Sequence, residues 1–160
     1  MRALLQRVAR ASVLVDGDLV GEIDPGLVIF VGIAHGDQET DGHYLVEKLA
    51  HLRIFPNTAG HFHLSALDAK AELLAVSQFT LYAETRKGRR PSFMEAAGPE
   101  QARELFEGFV RGLTGTGLKV ATGRFQAHML VEIHNDGPVT ILLDSADRGL
   151  SRRGEPKTSE

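Results

Sequence analysis

With 160 residues and 17.4 kDa, the chain is the size of one domain, taking about 150 residues per domain as the prior. Hydrophobic residues make up 42% and charged residues 24%, a globular balance that excludes wholesale disorder and a fibrous repeat. Lys plus Arg number 18 against 21 for Asp plus Glu, a net charge of −3, so any nucleic-acid partner must be met by a local basic patch; with no cysteine, disulfides, thiolate nucleophiles and Cys-ligated metal sites are excluded.

From Ala3 to Val15 apolar residues alternate or cluster with β-branched ones, and Asp16-Gly17-Asp18 reads as a hairpin turn into Leu19 to Ile23. After Asp24-Pro25-Gly26, the run Leu27 to Ile33 is apolar on both faces, as expected of a central strand covered on two sides. Tyr44, Leu45, Lys48, Leu49 and Leu52 form a helical stripe after Thr40 and Asp41 that ends before Pro56. Leu73 to Leu81 reads as a second buried strand, with Ser77, Gln78 and Thr80 as polar residues at its end; the basic loop Arg86-Lys87-Gly88-Arg89-Arg90-Pro91 follows.

Pro99 suits the first turn of a second helix, whose apolar face is Ala102, Leu105, Phe106, Phe109, Val110 and Leu113 and which Gly115 and Gly117 stop. Leu118 to Thr122 and Phe125 to His134 alternate with period two, and Val139 to Leu143 is a last strand after the turn Asn135-Asp136-Gly137-Pro138. These elements predict an α/β chain of α+β character: an antiparallel or mixed sheet, or a barrel-like one, with two main helices, in one domain over 1–144. The polar stretch 145–160 is expected to be a mobile tail.

The N-terminal stretch Met1 to Arg10 is broken by charge every few residues and lacks the apolar core of an export signal, and Gly26 to Ala34 is about half the ~20 residues a membrane helix needs. The expectation is a cytoplasmic protein without a membrane partner. Phosphate cradles are missing: no Gly-x-x-x-x-Gly-Lys-Ser/Thr occurs, and no Gly-x-Ser-x-Gly elbow marks a serine hydrolase. His61 and His63 would share one face of a strand, as would His128 and His134, but no His-Glu-x-x-His accompanies them and surface histidines are the better reading; neither metal nor cofactor is expected. Four positive charges within Arg86 to Arg90 can hold phosphates locally, or form a solvated loop.

Ser77-Gln78-Phe79-Thr80-Leu81 and Asn135-Asp136-Gly137-Pro138-Val139-Thr140, together with Leu5-Gln6-Arg7-Val8, Arg53-Ile54-Phe55, Arg90-Pro91-Ser92-Phe93 and Thr122-Gly123-Arg124-Phe125, resemble the D-aminoacyl-tRNA deacylase family. The resemblance runs to about Leu143 and implies a homodimer with its active sites at the subunit interface. It implies hydrolysis of the ester between a D-amino acid, or mischarged glycine, and the 3′-terminal adenosine of tRNA. In that picture Gly137 and Pro138, joined by a cis peptide, enter the partner's site and reject L-amino acids sterically, and Arg7 pins their orientation.

By the same similarity Ser77, Gln78, Phe79 and Thr80 surround the ester, with backbone N–H groups as an oxyanion hole and the substrate's ribose 2′-OH assisting water attack. Phe125 is a candidate for stacking on adenine, although an aromatic at a strand start is more often core; Arg86, Lys87, Arg89 and Arg90 are candidates for acceptor-stem phosphates. A related deacylase that clears L-alanine from threonine tRNA carries glutamine where Arg7 stands and a Pro-Gln-Ala-Thr strand, so Arg7, Ser77 and Phe79 favour the D-specific branch. A non-catalytic RNA-binding module is the other alternative.

Overall fold

The computed structural model describes residues 1–150, and its framework is one mixed sheet in the order β2-β1-β3-β6-β7, with β8 also paired to β1. The strands are β1 (Arg2–Val15), β2 (Asp18–Ile23), β3 (Gly26–Gly32), β6 (Glu72–Ser77), β7 (Val120–Thr122) and β8 (Leu130–Asp144). β1 is antiparallel to β2, β3 and β8, whereas β3, β6 and β7 run parallel. The parallel pairs need crossovers, supplied by α1 (Glu39–His51) and α3 (Pro99–Gly115). A two-stranded hairpin, β4 (Phe55–Pro56) with β5 (Phe62–Leu64), and the short α2 (Ala66–Ala69) complete the first crossover; these small elements carry no apolar period to announce them.

Two cores lie on the two faces of the sheet. Ala3, Leu5, Leu27, Ile29, Val31, Leu73 and Ala75 meet Leu45 and Leu49 of α1 and Phe106, Phe109 and Leu113 of α3. Each Val, Leu, Ile or Phe side chain fully buried there contributes roughly 1.5–3 kcal/mol. On the other face Val8, Ala11, Val13, Val28, Leu74 and Val76 are covered by Ile23 of β2 and by Val131 and Ile133 of β8, so the sheet curls into a nearly closed barrel. The double coverage expected for Leu27 to Ile33 is realised in β3, where only Phe30 is less than fully buried.

Three predicted strands differ from the structure. The run Leu73 to Leu81 is strand only to Ser77; its partner β3 ends at Gly32, and the chain turns instead into a 3-10 helix, Phe79–Tyr82. Phe125 to His134 is strand only from Leu130, because Ala127 N–H donates to Arg124 O (3.2 Å) and Gln126 sits at φ +62°, which closes a turn; His128 therefore precedes the strand and shares no parity with His134. Asn135 to Pro138 does not separate two strands. β8 pairs with β1 on both sides of it, Val8 with Asn135 and Gln6 with Thr140, so Asp136 to Val139 bulge out opposite the single residue Arg7.

The first residues of the predicted tail are structured. Ser145–Gly149 forms a 3-10 helix against α1, Ser145 is buried, and its N–H donates to Met1 O (2.9 Å). Arg152, Arg153 and the rest of 151–160 lie outside the described residues.

Candidate functional site

Beyond the carboxyl end of β6 lies a cleft of about 650 Å³, within the range of ligand sites, roughly 300–1,000 Å³. Ser77, Gln78 and Phe79 form one wall, Phe125, Gln126 and Met129 the other, and Phe93, Ala97 and Ala102 close the back. His128 is the one ionisable side chain among the lining residues, and it is exposed. Among the described residues no carboxylate or lysine lines the space and no hydroxyl there is hydrogen-bonded to an imidazole, so binding and polarisation are what these walls supply.

The turn Phe79–Tyr82 sets the first wall. Gln78 N–H donates to Val31 O at 2.7 Å, ending the ladder, and the Gln78 side-chain amide donates to the Thr80 hydroxyl. Thr80 is thereby held beside the cleft mouth but does not line it. No backbone carbonyl among the described residues accepts from Phe79 or Thr80 N–H, leaving both donors available. Phe79, 55% exposed, stands edge-on to Phe93 with ring centroids 5.0 Å apart. Phe125 is braced between Phe106 (6.3 Å) and the Arg103 guanidinium (4.8 Å), which also donates to Gln126 Oε1 at 3.3 Å.

Gly137 and Pro138 are elsewhere. They are exposed, joined by a cis peptide, and absent from the cleft lining of their own chain. Arg7, 7% exposed, fills the mouth of the bulge: Nη1 donates to Ile54 O (2.6 Å), Nε donates to Asp136 O (3.2 Å) and lies 3.4 Å from the Asp136 carboxylate, and the Phe62 ring covers the guanidinium at 5.4 Å. Asn135 closes the bulge from within, its amide donating to Val139 O (3.0 Å) while its carbonyl accepts Val139 N–H (3.1 Å). Reading the sequence missed Asn135, Phe62, Phe93 and Met129; of these only Asn135 and Phe93 stood inside a quoted motif.

Arg86, Lys87, Arg89 and Arg90 are exposed on a loop pinned at its base by mutual Glu84 and Ser92 backbone bonds (2.8 and 2.9 Å). Arg86 is paired with Glu84 (2.7 Å), which leaves three unpaired cations in the run among the described residues. Phe93 at the loop's far end ties it to the cleft. Among the described residues no three His, Asp or Glu side chains gather where a metal ion could be held.

A cleft beyond the carboxyl end of a parallel strand, walled by aromatic rings, has the form of a ligand site in an α/β protein. The D-Tyr-tRNA(Tyr) deacylase family model matches residues 4–144. D-aminoacyl-tRNA deacylases of Dehalococcoides mccartyi and Heliobacterium modesticaldum are 60% and 57% identical over 148 and 144 residues, covering 92% and 90% of this chain and 97% and 96% of theirs. A solved structure named c-Myc DNA unwinding element binding protein superposes with a TM-score of 0.85 at 40% identity over 90% of this chain and 98% of its own. A probable eukaryotic D-amino acid tRNA deacylase, 17% identical, shares the fold with a TM-score of 0.79. The chain belongs to the D-Tyr-tRNA(Tyr) deacylase family.

Proposed function

We propose that this protein hydrolyses the ester between a D-amino acid, or mischarged glycine, and the 3′-terminal adenosine of tRNA, and spares L-aminoacyl esters. The observation that carries the reading is a cleft without a gate of its own, together with a rigidly held, exposed Gly137–Pro138 projection that does not reach that cleft in the same chain. In a two-fold dimer one protomer's projection enters its partner's cleft. Main-chain oxygens there grip the substrate α-amino group, and an L side chain collides with the projection. Backbone held by Arg7 and Asn135 is a stiffer gauge than a rotatable side chain.

The roles follow from placement. Phe79 and Thr80 N–H groups polarise the ester carbonyl, Gln78 and Thr80 fix one another beside it, Ser77 shapes the wall, and Phe125 stacks on adenine. With no carboxylate among the described residues lining the cleft, the ribose 2′-OH of the substrate assists the attacking water. Arg86, Lys87, Arg89 and Arg90 meet acceptor-stem phosphates. No helix among the described residues is long and apolar enough to cross a membrane, and the reading places the protein with tRNA in the cytoplasm.

The dimer has a candidate surface. Across β3, β1 and β8, Phe30, Leu4 and Leu142 stand in one row, with Leu142 55% exposed, and beside them Gln6 donates to Thr140 (3.1 Å). Leu142→Glu puts like charges on a self-complementary patch. The expected result is a monomer by light scattering at micromolar protein, with ester hydrolysis lost; a dimer with full turnover sinks this arrangement.

The deciding measurement is hydrolysis of D-Tyr-tRNA and L-Tyr-tRNA by the purified protein, with and without a chelator. Release from the D-ester alone, indifferent to chelation, is expected. Cleavage of L-alanyl-tRNA instead would assign the chain to the L-alanine branch, and no turnover on any aminoacyl ester would leave an RNA-binding module.

A further inference from the structure

We infer that Arg2 is a positioning residue for the cleft: its guanidinium clamps the turn Phe79–Tyr82 and so sets where Phe79 and Thr80 stand, without itself reaching the substrate. The inference rests on the proposed role of those two residues, but the clamp is a separate physical claim.

Arg2 reaches from the first residue of β1 to three groups at once. Its Nη1 donates to Leu81 O (3.0 Å), its Nε donates to Asp144 Oδ2 (3.1 Å), and its guanidinium carbon lies 4.6 Å from the Tyr82 ring centroid. Leu81 O and Tyr82 belong to the far end of the turn; Asp144 closes β8, where its other oxygen accepts Ala146 N–H (3.0 Å). One planar cation therefore ties the turn to the strand that also carries the Gly137–Pro138 bulge. Burial pushes the Asp144 carboxyl up, but the Ala146 N–H, Arg2 and the N-terminal ammonium more than offset it and hold the carboxyl below its ordinary value. The acceptor is thus fully charged at neutral pH.

The opposite end of the turn is fixed by Gln78 N–H on Val31 O, and its floor is Gly32. A Cβ at Gly32 would lie 2.9 Å from Leu81 Cβ, 3.1 Å from Gln78 O and 3.2 Å from Tyr82 Cδ2. The turn is thus seated against bare backbone, anchored in front by Val31 and behind by Arg2. Arg2 is absent from the cleft lining, so it acts on the cleft through the turn and not by touching the substrate there.

The test uses Arg2→Gln, Arg2→Lys and, as an independent displacement of the same turn, Gly32→Ala. Hydrogen exchange is read at the Leu81 and Ala83 amides, which donate to Gln78 O and Thr80 O (3.2 and 3.1 Å). Arg2→Gln is expected to speed exchange there while the amides of α3 and β3 stay at wild-type rates. On D-Tyr-tRNA its kcat falls about 10- to 100-fold, the scale on which ångström misplacement acts, with KM for the tRNA unchanged. Arg2→Lys recovers part of the rate, because an ammonium can meet Leu81 O or Asp144 but cannot bridge both and stack. Gly32→Ala reproduces the exchange change with Arg2 intact.

Unchanged exchange at Leu81 and Ala83 in Arg2→Gln overturns the clamp, whatever happens to turnover. Faster exchange with unaltered kcat overturns the positioning role, as does a fall in kcat accompanied by faster exchange throughout the fold. If the wild-type protein itself cleaves no D-ester, the functional reading has failed and the exchange result still decides the clamp.

Discussion

Gly137→Ala is expected to abolish D-aminoacyl ester hydrolysis and to destabilise the fold in the same stroke. Gly137 sits at φ +126°, a region L side chains rarely adopt, and a Cβ there would fall 2.8 Å from Val139 Cγ2 and 2.9 Å from Arg7 Nη2. Neither neighbour can retreat. Val139 is 6% exposed and bonded through both backbone groups to Asn135, and Arg7 is held on Ile54 O and Asp136 O. The conformational penalty alone is about 1–3 kcal/mol, and overpacking adds to it. A loss near 2 kcal/mol would lower Tm by roughly 4–8 °C in a domain of this size.

Gly36→Ala is the control. Nothing lies within 4 Å of the added Cβ there, so stability should move by no more than about 0.5 kcal/mol. Calorimetry and single-turnover hydrolysis of D-Tyr-tRNA check both variants. A Gly137→Ala protein with wild-type turnover would refute the gate at this residue, even if its Tm falls as expected.

Arg7→Leu should separate discrimination from chemistry. The substitution leaves the buried carbonyl of Ile54 and the partly buried carbonyl of Asp136 without the donor that now satisfies them. Each orphaned carbonyl costs about 1–3 kcal/mol, and a total near 3 kcal/mol corresponds to a Tm drop of roughly 6–12 °C. The exposed Asp136 carboxylate adds little, since water replaces the cation there.

With its mouth unplugged, the Asp136 to Val139 bulge loses the contact that fixes its direction, while the cleft walls, at the end of β6 and along Phe125 to Met129, include neither Arg7 nor the bulge. The ratio of D-Tyr-tRNA to L-Tyr-tRNA hydrolysis should therefore fall by more than the D-ester rate itself. Arg7→Lys should recover stability only in part, because an ammonium cannot span the two carbonyls with fork geometry. An unchanged D-to-L ratio in Arg7→Leu would show that Arg7 stabilises the fold and nothing more.

Much of the architecture was legible because it is written in local periodicity. The unbroken apolar run of β3 announced a strand covered on both faces, and the spacing of Phe106, Phe109 and Leu113 after Pro99 announced α3. The residues of the cleft and of the bulge were legible as motifs. Their geometry was not: Phe79 and Leu81 continue the apolar run of β6, so the turn reads as strand, and nothing near it in sequence reveals that β3 stops at Gly32. The alternation through Phe125 misled for the same reason, since Phe125 is apolar to pack on Phe106, not to face a strand partner.

Composition and pattern determined by themselves an α/β fold with a buried central strand, two covering helices, a local basic loop and two motif-bearing segments far apart in the chain. The tertiary structure alone decided that β3, β6 and β7 run parallel, that Asp136 to Val139 is a bulge within one strand and not part of a turn between two, and which carbonyls Arg7 bonds there. The reason is one of range. Burial period is a property of neighbouring residues, whereas register, bulges and the end of a strand depend on which partner lies alongside. For Arg7 that partner lies 129 residues away.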